Sequence, residues 1–208
     1  MAKVSCEVLI RSHVMDSPKD SVFALSDFTQ YGSYDSIRKA LSDLVQDNFL
    51  VRITAGIYCM SEKPYKESIA DPNALHVANA LARNNQWSVC PGTEYARFHF
   101  CLTDDEPTIY TALSSGPSGT YKFGNNKVLK MIHCSSSFIN ELPLDAAMVV
   151  SAFMDLKNNK VTASDVFHFS QILSWDTKQK LLQNLSVIPA RLRPVIEIIC
   201  DEYGRVRR

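Results

Sequence analysis

The sequence predicts an α+β protein. It has an N-terminal winged helix-turn-helix, then a mixed domain with a small antiparallel sheet and a C-terminal helical bundle. Three observations support this class. First, an amphipathic helical stretch before residue 47 is followed at once by alternating strand-like segments. Second, turn residues divide three strand-like runs before residue 134. Third, apolar residues at helical spacing dominate the rest of the chain. An apolar content of 46% with 21% charged residues is typical of a folded globular chain.

The most informative stretch of the sequence covers residues 33–59. Ser33 precedes an apolar series at helical spacing and is therefore the expected N-cap. The apolar positions are Ile37, Ala40, Leu41, Leu44 and Val45. Asp47-Asn48 ends this helix, residues 49–54 alternate as a strand, and Ala55-Gly56 turns the chain into a partner strand at residues 57–59. A helix followed directly by a hairpin predicts the recognition helix and wing.

Three shorter elements are expected before this helix. Apolar residues from Val4 predict a first helix that ends near His13, and Val22-Phe23 predicts a short strand that pairs with the wing. Ser26 or Asp27 is the expected cap of a short second helix that contains Phe28. These elements complete a predicted winged helix-turn-helix domain over residues 1–60.

A polar segment over residues 61–71 is predicted to link this domain to a second one over residues 72–208. Asp71-Pro72 is expected to open a helix, a short strand is expected at residues 87–89, and Thr93 is expected to cap a further helix. Three strands, at residues 109–113, 120–123 and 128–133, predict a meander. The remaining helices are expected at residues 144–156, 164–173, 177–185 and 189–203.

The overall charge and the spacing of the cysteines indicate which kinds of partner and which cellular compartment to expect. Lys and Arg number 22, as do Asp and Glu, so broad contact with a polyanion is disfavoured and any DNA contact must come from a local cluster. The six cysteines show no short paired spacing, which is typical of reduced thiols. With no signal-peptide pattern and no apolar run of membrane-spanning length, we expect a cytoplasmic protein without a membrane partner.

Several patterns were weighed as enzyme or metal sites. The Gly116–Thr120 segment lacks the lysine of a phosphate loop, and His133-Cys134 alone cannot complete a zinc site. The serines after His133 lack a nucleophile elbow, and the acidic run Asp104–Glu106 is more simply a solvated loop than a nuclease centre. We therefore expect no catalytic residues, no metal and no cofactor, with an enzyme acting on nucleotides or phosphoesters as a third hypothesis.

The face of the central helix opposite its apolar stripe is the predicted site. An α-helix fits the major groove, where Arg, Lys, Ser and Tyr side chains can contact base edges and phosphates, and a wing can lie along the backbone. The candidate DNA-binding residues are Tyr34, Ser36, Arg38, Lys39, Ser42, Arg52 and Thr54. Two alternatives stay open: the charged pair on the helix is simply solvated surface, or the winged helix docks a protein.

Two sets of segments carry a family resemblance. Those in the first domain are Val22-Phe23, Asp27-Phe28, Gly32-Ser33, Ile37–Ser42, Leu50–Arg52 and Gly56–Tyr58. Those in the second are Pro72, Ala78–Arg83, Trp87, Pro91–Thr93, Ala96, Ile109–Thr111 and Gly116–Ser118. Through them the sequence resembles the AbiEi-type antitoxins of type IV toxin–antitoxin systems over roughly residues 5–135. Three places depart from the family pattern: Asp43 stands where Arg is common, Asn48 replaces a turn glycine, and Phe100–Asp105 replaces a Leu-Gly-Leu-Ser-Thr-Gln-like run.

The resemblance implies a phage-defence antitoxin that represses its own operon through winged-helix binding to double-stranded promoter DNA. It also implies that the protein counteracts a nucleotidyltransferase-like toxin without forming a stable complex, and that the second domain provides this activity. A homodimer on DNA would supply the two units per operator that modest local charge requires. The alternative, from another functional class, is an adaptor that binds and sequesters a partner protein without binding DNA.

Overall fold

The computed structural model describes residues 4–61, 73–104, 107, 109–124, 127–155 and 161–201. The fold combines helices with small sheets, which confirms the predicted α+β class. The chain forms two compact units. Unit 1 comprises Met1–Trp87 and Gly119–Lys130, and unit 2 comprises Ser88–Ser118 and Met131–Arg208.

The elements follow one another in mixed order. The strands are β1 (Val22–Ala24), β2 (Leu50–Thr54), β3 (Ile57–Met60), β4 (Val89–Pro91), β5 (Ile109–Ser114), β6 (Gly119–Phe123) and β7 (Lys127–His133). The α-helices are α1 (Cys6–Met15), α2 (Tyr34–Gln46), α3 (Ala74–Asn85), α4 (Thr93–His99), α5 (Phe138–Glu141), α6 (Leu144–Ser151), α7 (Ala163–Ile172), α8 (Trp175–Gln183) and α9 (Arg193–Cys200). Two 3-10 helices lie at Leu25–Tyr31 and Leu185–Val187.

Unit 1 packs α1, α2 and the first 3-10 helix against a sheet of order β1-β3-β2. Its core contains Ile10, Val14, Phe23, Phe28, Ile37, Ala40, Leu41, Leu44, Leu50 and Tyr58. β1 pairs antiparallel with β3, with Phe23 opposite Tyr58. The strand expected at Val22-Phe23 therefore pairs with the hairpin as predicted. The first helix ends at Met15, two residues beyond the predicted end near His13.

The element between β1 and α2 is a 3-10 helix that begins at Leu25, before the predicted cap. Asp27 lies inside its first turn, where the carboxylate accepts the backbone N–H of Ala24 at 2.8 Å. The prediction that Ser26 or Asp27 precedes the helix was therefore wrong by two or three residues. Asp27 thus accepts the N–H of Ala24 from a position inside the helix, whereas the prediction placed the capping side chain at the N-cap.

The compact units divide the chain differently from the predicted boundaries of 1–60 and 72–208. Helix α3 packs on β1, β3 and the first 3-10 helix, and Arg83 binds the Asp27 carboxylate through two hydrogen bonds of 3.1 and 2.9 Å. Arg83 also donates to the carbonyl of Val22 at 2.9 Å. Residues 62–71 of the predicted linker, and Asp71-Pro72, lie outside the described residues. Within them, Asn73 caps α3 by accepting the N–H of Leu75 at 2.8 Å.

Unit 2 surrounds helix α6, in which Ala146–Ser151 are all buried. A helix that is apolar on all sides belongs in the interior, and side chains from α4, α5, α7, α8 and α9 join its core. α6 ends at Ser151, short of the predicted residue 156, and α9 covers less of the chain than the predicted 189–203. Helices do occur in each of the four regions where the C-terminal sequence predicted them.

The predicted meander was wrong, because the strand order of the second sheet is β4-β5-β7-β6. β5 has β7 as its neighbour, and the N–H of Cys134 donates to the carbonyl of Ser114 at 2.8 Å. The loop after β5 is held across the end of β7, where Ser118 Oγ accepts the N–H of His133 at 2.9 Å. β7 therefore lies between β5 and β6, although all three predicted strands exist at the expected positions.

The turn before α4 is tightly packed. Gly92, not Thr93, is the N-cap, and the Thr93 hydroxyl donates to the buried carbonyl of Ser151 at 2.8 Å. A Cβ atom at Gly92 would lie 2.0 Å from Thr111 Oγ1 and 3.0 Å from the Thr111 carbonyl oxygen. Thr111 Oγ1 in turn donates to Glu94 at 2.9 Å, so it is not free to move aside. The Pro91–Thr93 turn is thus a packing feature of unit 2.

Replacing Gly92 by Ala is expected to destabilise the protein by about 2 kcal/mol, because the added methyl group forces β5 and α4 apart. Gly32→Ala is the matched control. Gly32 has an extended φ of 170°, and a Cβ there meets Cys6 and Ser36 only at 3.5 Å. Urea unfolding followed by circular dichroism measures both variants. Equal stability of G92A and G32A would contradict this packing.

Acid should weaken unit 2 through Asp165. Burial raises the pKa of this carboxyl group, but the backbone N–H of Thr162 and the Arg97 guanidinium at 3.1 Å outweigh it and hold the pKa below its ordinary value. A group with a lowered pKa stabilises the fold above its unfolded pKa of about 3.9, and this stabilisation is lost as the pH falls through the folded value. Thermal melts from pH 7 to pH 3 should therefore fall less steeply for Asp165→Asn than for the wild type.

Candidate nucleic-acid interface

Helix α2 exposes a polar face because its apolar face is buried. Ile37 is 1% exposed, and Leu41 and Leu44 are fully buried, in the core of unit 1. With 3.6 residues per turn, burial of this seam directs the intervening side chains to solvent. Five predicted site residues on the helix are exposed: Tyr34, Ser36, Arg38, Lys39 and Ser42.

Both ends of α2 have identifiable stop signals. Ser33 is the N-cap as predicted, and its Oγ accepts the N–H of Ser36 at 3.3 Å. At the other end, Asn48 has a φ of 56°, in the left-handed region that Asn tolerates better than most residues. An asparagine therefore suffices at a turn where the resembling family has glycine.

The hairpin of β2 and β3 places a cation beside the helix. Arg52 lies directly opposite Tyr58 in the antiparallel register, and the pairing shifts between Arg52 and Thr54. Arg52 Nε donates to the carbonyl of Thr54 at 3.3 Å. Gly56 completes the turn with a φ of 75°, a conformation that favours glycine.

Helix and hairpin together line a shallow depression of about 710 Å³. Its lining residues are Asp35, Arg38, Lys39, Ser42, Asp43, Val45, Arg52 and Tyr58. Three cations face two carboxylates there, which leaves a local charge of +1. The structure thus brings together four of the seven predicted residues, Arg38, Lys39, Ser42 and Arg52, from two separate elements.

The other three predicted residues lie around this depression without lining it. Tyr34 is 63% exposed and is close enough to Tyr58 to influence its ionisation. Ser36 hydrogen-bonds the N-cap Ser33 and lies about 160° around the helix from Arg38, on the opposite flank. Thr54 is half-buried, and its carbonyl oxygen holds Arg52.

Sequence reasoning missed Tyr58 as a site residue. It is only 6% exposed, yet it lines the depression together with Arg52, its cross-strand partner. Burial raises the pKa of Tyr58, the Arg52 charge opposes that rise, and Tyr34 adds to it. The cross-strand register opposite Arg52 was the available signal, and it becomes visible only once the turn position is known.

The cations of this surface have no internal counter-ions among the residues that the structure describes. Other arginines of the chain are paired: Arg11 with Glu7 and Asp47, Arg83 with Asp27, and Arg97 with Asp165. No such pair within the described ranges involves Arg38, Lys39 or Arg52. These three side chains can therefore bind an external anion without first breaking an internal ion pair.

The features weighed as catalytic or metal sites have structural contacts. Glu94 accepts a hydrogen bond from Thr111, His133 Nδ1 lies 2.9 Å from the carbonyl oxygen of Gly116, and Asp104 is exposed. Asp105 and Glu106 lie outside the described residues. Within the described part of the chain, no three His, Cys, Asp or Glu side chains gather as metal ligands.

The described helices were also compared with the requirements of a bilayer. None of them combines the length and the apolar character that crossing a membrane demands.

Comparison with known protein families shows the family of the chain. The chain belongs to DUF6088, a family of unknown function, which matches residues 9–181. A search of curated proteins finds no match. The family match covers α2, the hairpin and most of unit 2, so the candidate surface lies within the matched residues.

Loss of the α2 cap should be measurable in the free protein. Ser33→Ala is expected to cost about 1 kcal/mol of stability, because the N–H of Ser36 loses its acceptor. Ser42→Ala, an exposed position within the same helix, should be neutral or slightly stabilising, because alanine is the better helix former. Urea unfolding compares the two; a more damaging S42A would contradict the assigned cap.

Proposed function

We propose that this protein is a winged helix-turn-helix repressor that binds double-stranded DNA of its own promoter. The single observation that carries the proposal is the meeting of α2 and the β2–β3 hairpin around Arg38, Lys39 and Arg52, three cations that form no ion pair among the described residues. In this proposal α2 is the recognition helix and the hairpin is the wing. The element order α1, β1, 3-10 helix, α2, β2, β3 is consistent with such a domain.

The chemistry of the surface fits a duplex. A helix about 10–12 Å wide enters a major groove of about 12 Å, where Arg can donate two hydrogen bonds to guanine and Ser can bond to several bases. Arg52, on the wing, would contact a phosphate. Asp35 and Asp43 would repel phosphates but can accept hydrogen bonds from cytosine N4, so they favour a pose in which α2 points into the groove.

The small local charge argues for more than one unit per operator. A net charge of +1 in the depression supports only modest affinity, and that affinity should be sensitive to salt. A homodimer on a two-fold symmetric operator doubles the contacts at a spacing of one helical turn.

We further propose that the protein is a type IV antitoxin, active in the cytoplasm. It would counteract a nucleotidyltransferase-like toxin without a stable complex. This rests on the resemblance to AbiEi-type antitoxins, and unit 2 would provide the antitoxin activity without acting as an enzyme and without a cofactor. A nucleotidyltransferase gene directly downstream would support this assignment.

One observation favours the alternative adaptor function. On α7 and α8 in unit 2, Phe167, Ile172 and Trp175 are 66%, 45% and 57% exposed. Large apolar side chains left exposed to solvent can contribute to a protein-binding surface. Co-purification of a stoichiometric partner protein, with no retention on DNA at low salt, would select this function over DNA binding.

The DNA-binding proposal is tested with Arg38→Ala combined with Lys39→Ala. If Arg38 contacts a base, its loss alone should cost about 1–3 kcal/mol of binding free energy, or about 5- to 150-fold in affinity. A gel shift on the upstream duplex measures the change. Lys19→Ala, an exposed lysine outside the depression, is the matched control and should bind as the wild type does. Unchanged binding by the double variant would overturn this recognition surface.

A further inference from the structure

A second basic hairpin lies in unit 1, and it comes from a distant part of the sequence. Residues 119–130, which form β6 and most of β7, contain three lysines and no acidic residue. Lys122 and Lys130 are exposed, whereas Phe123 and Leu129 are 5% and 1% exposed. The hairpin is therefore anchored by apolar side chains while these two cations face solvent.

This hairpin lies next to the proposed wing. Residues of β6 and β2 approach within 8 Å between Cα atoms, and β2 is the strand that carries Arg52. β2 is an edge strand of its sheet, and these contacts place β6 near it. A lysine side chain on β6 can thus extend the basic surface that begins at Arg52.

The hairpin packs as part of unit 1, and its lysines therefore change the net charge of that unit. Residues 1–60 carry six basic and seven acidic side chains. Unit 1 as the structure delimits it carries 12 Lys and Arg against 10 Asp and Glu, a net charge of +2, and unit 2 carries 10 against 12, a net charge of −2. The neutral chain is therefore polarised, and the positive half is the half that contains α2 and the hairpin of Arg52.

Lys122 and Lys130 also lack internal counter-ions among the described residues, as Arg38, Lys39 and Arg52 do. In contrast, the half-buried Lys180 of unit 2 is paired with Asp176 four residues earlier. Two lysines without counter-ions among the described residues, on an anchored strand pair that approaches the strand of Arg52, are suited to a row of phosphates, because phosphates repeat along each strand of a duplex.

We infer that the β6–β7 hairpin is a second DNA-contacting element, in which Lys122 and Lys130 bind backbone phosphates beside the Arg52 wing. The inference deepens the proposed function and rests on it. It supplies the additional contact that the weak charge of residues 1–60 requires. These lysines position the duplex and do not read its sequence, since phosphate contacts are the same for every base pair.

The test is the salt dependence of binding by the full chain. Fluorescence anisotropy with a labelled duplex from the upstream region, at a series of KCl concentrations, gives the slope of log K against log salt. Each phosphate contact contributes about 0.9 to this slope, so Lys122→Gln with Lys130→Gln should flatten it by about 1.8 and weaken low-salt binding about tenfold or more. Lys19→Gln is the control, and Lys122→Arg with Lys130→Arg should restore the slope.

The outcomes separate this inference from the proposal beneath it. If the wild type binds and the Arg38/Lys39 variant does not, but the K122Q/K130Q protein keeps the wild-type slope, the hairpin inference is overturned and the proposed function stands. Weaker binding with an unchanged slope also overturns it, because the lysines would then act through the fold. If the wild type binds neither the upstream duplex nor an unrelated duplex at low salt, the proposed function fails and the inference fails with it.

Discussion

The burial of one seam of α2 is the constraint on which the candidate surface depends. Ile37, Ala40, Leu41 and Leu44 lie in the core of unit 1 against side chains from α1 and β1. Fully burying a large aliphatic side chain contributes about 1.5–3 kcal/mol, so three of them hold the helix firmly in one rotation. That rotation alone determines that Arg38, Lys39 and Ser42 face solvent. The Ser33 cap and the left-handed Asn48 then set where the helix begins and ends, and so how close the hairpin comes.

The cations of the candidate surface differ from the other arginines of the chain in their ion pairing. Most arginines elsewhere are used in structure: Arg83 ties α3 to Asp27 and Val22, and Arg11 bridges two carboxylates while its guanidinium lies 4.4 Å from the centre of the Phe49 ring. Among the described residues, Arg38, Lys39, Arg52, Lys122 and Lys130 form no ion pair. Asp35 and Asp43 reduce the local field, which favours recognition through specific contacts over attraction by a broad positive surface.

Unit 2 is organised by different physics. Its centre is an apolar helix, α6, and its polar interior groups serve packing: Thr93 and Ser151 bond buried carbonyls, and burial raises the pKa of Cys90 to about 12 although Ser151 opposes this. A thiol in that state remains protonated and is not a nucleophile. The Pro91–Thr93 turn, which resembles a family motif, is explained here by the lack of room beside Thr111. Some large apolar side chains of this unit remain exposed, among them Phe167 and Trp175 of α7 and α8.

The sequence by itself determined the local elements. Apolar residues that repeat every 3.6 positions in helices and every second position in strands, together with caps and turn residues, located α2, the hairpin and all three later strands within a few residues. The sequence can show these elements because such signals act between residues that are near neighbours along the chain. It did not determine the sheet order or the extent of the units. Those depend on which apolar faces meet, and a linear pattern does not encode the partner of a face. Tertiary structure alone decided that β5 neighbours β7, that α3 completes unit 1, and that a lysine hairpin from residue 119 onward approaches β2.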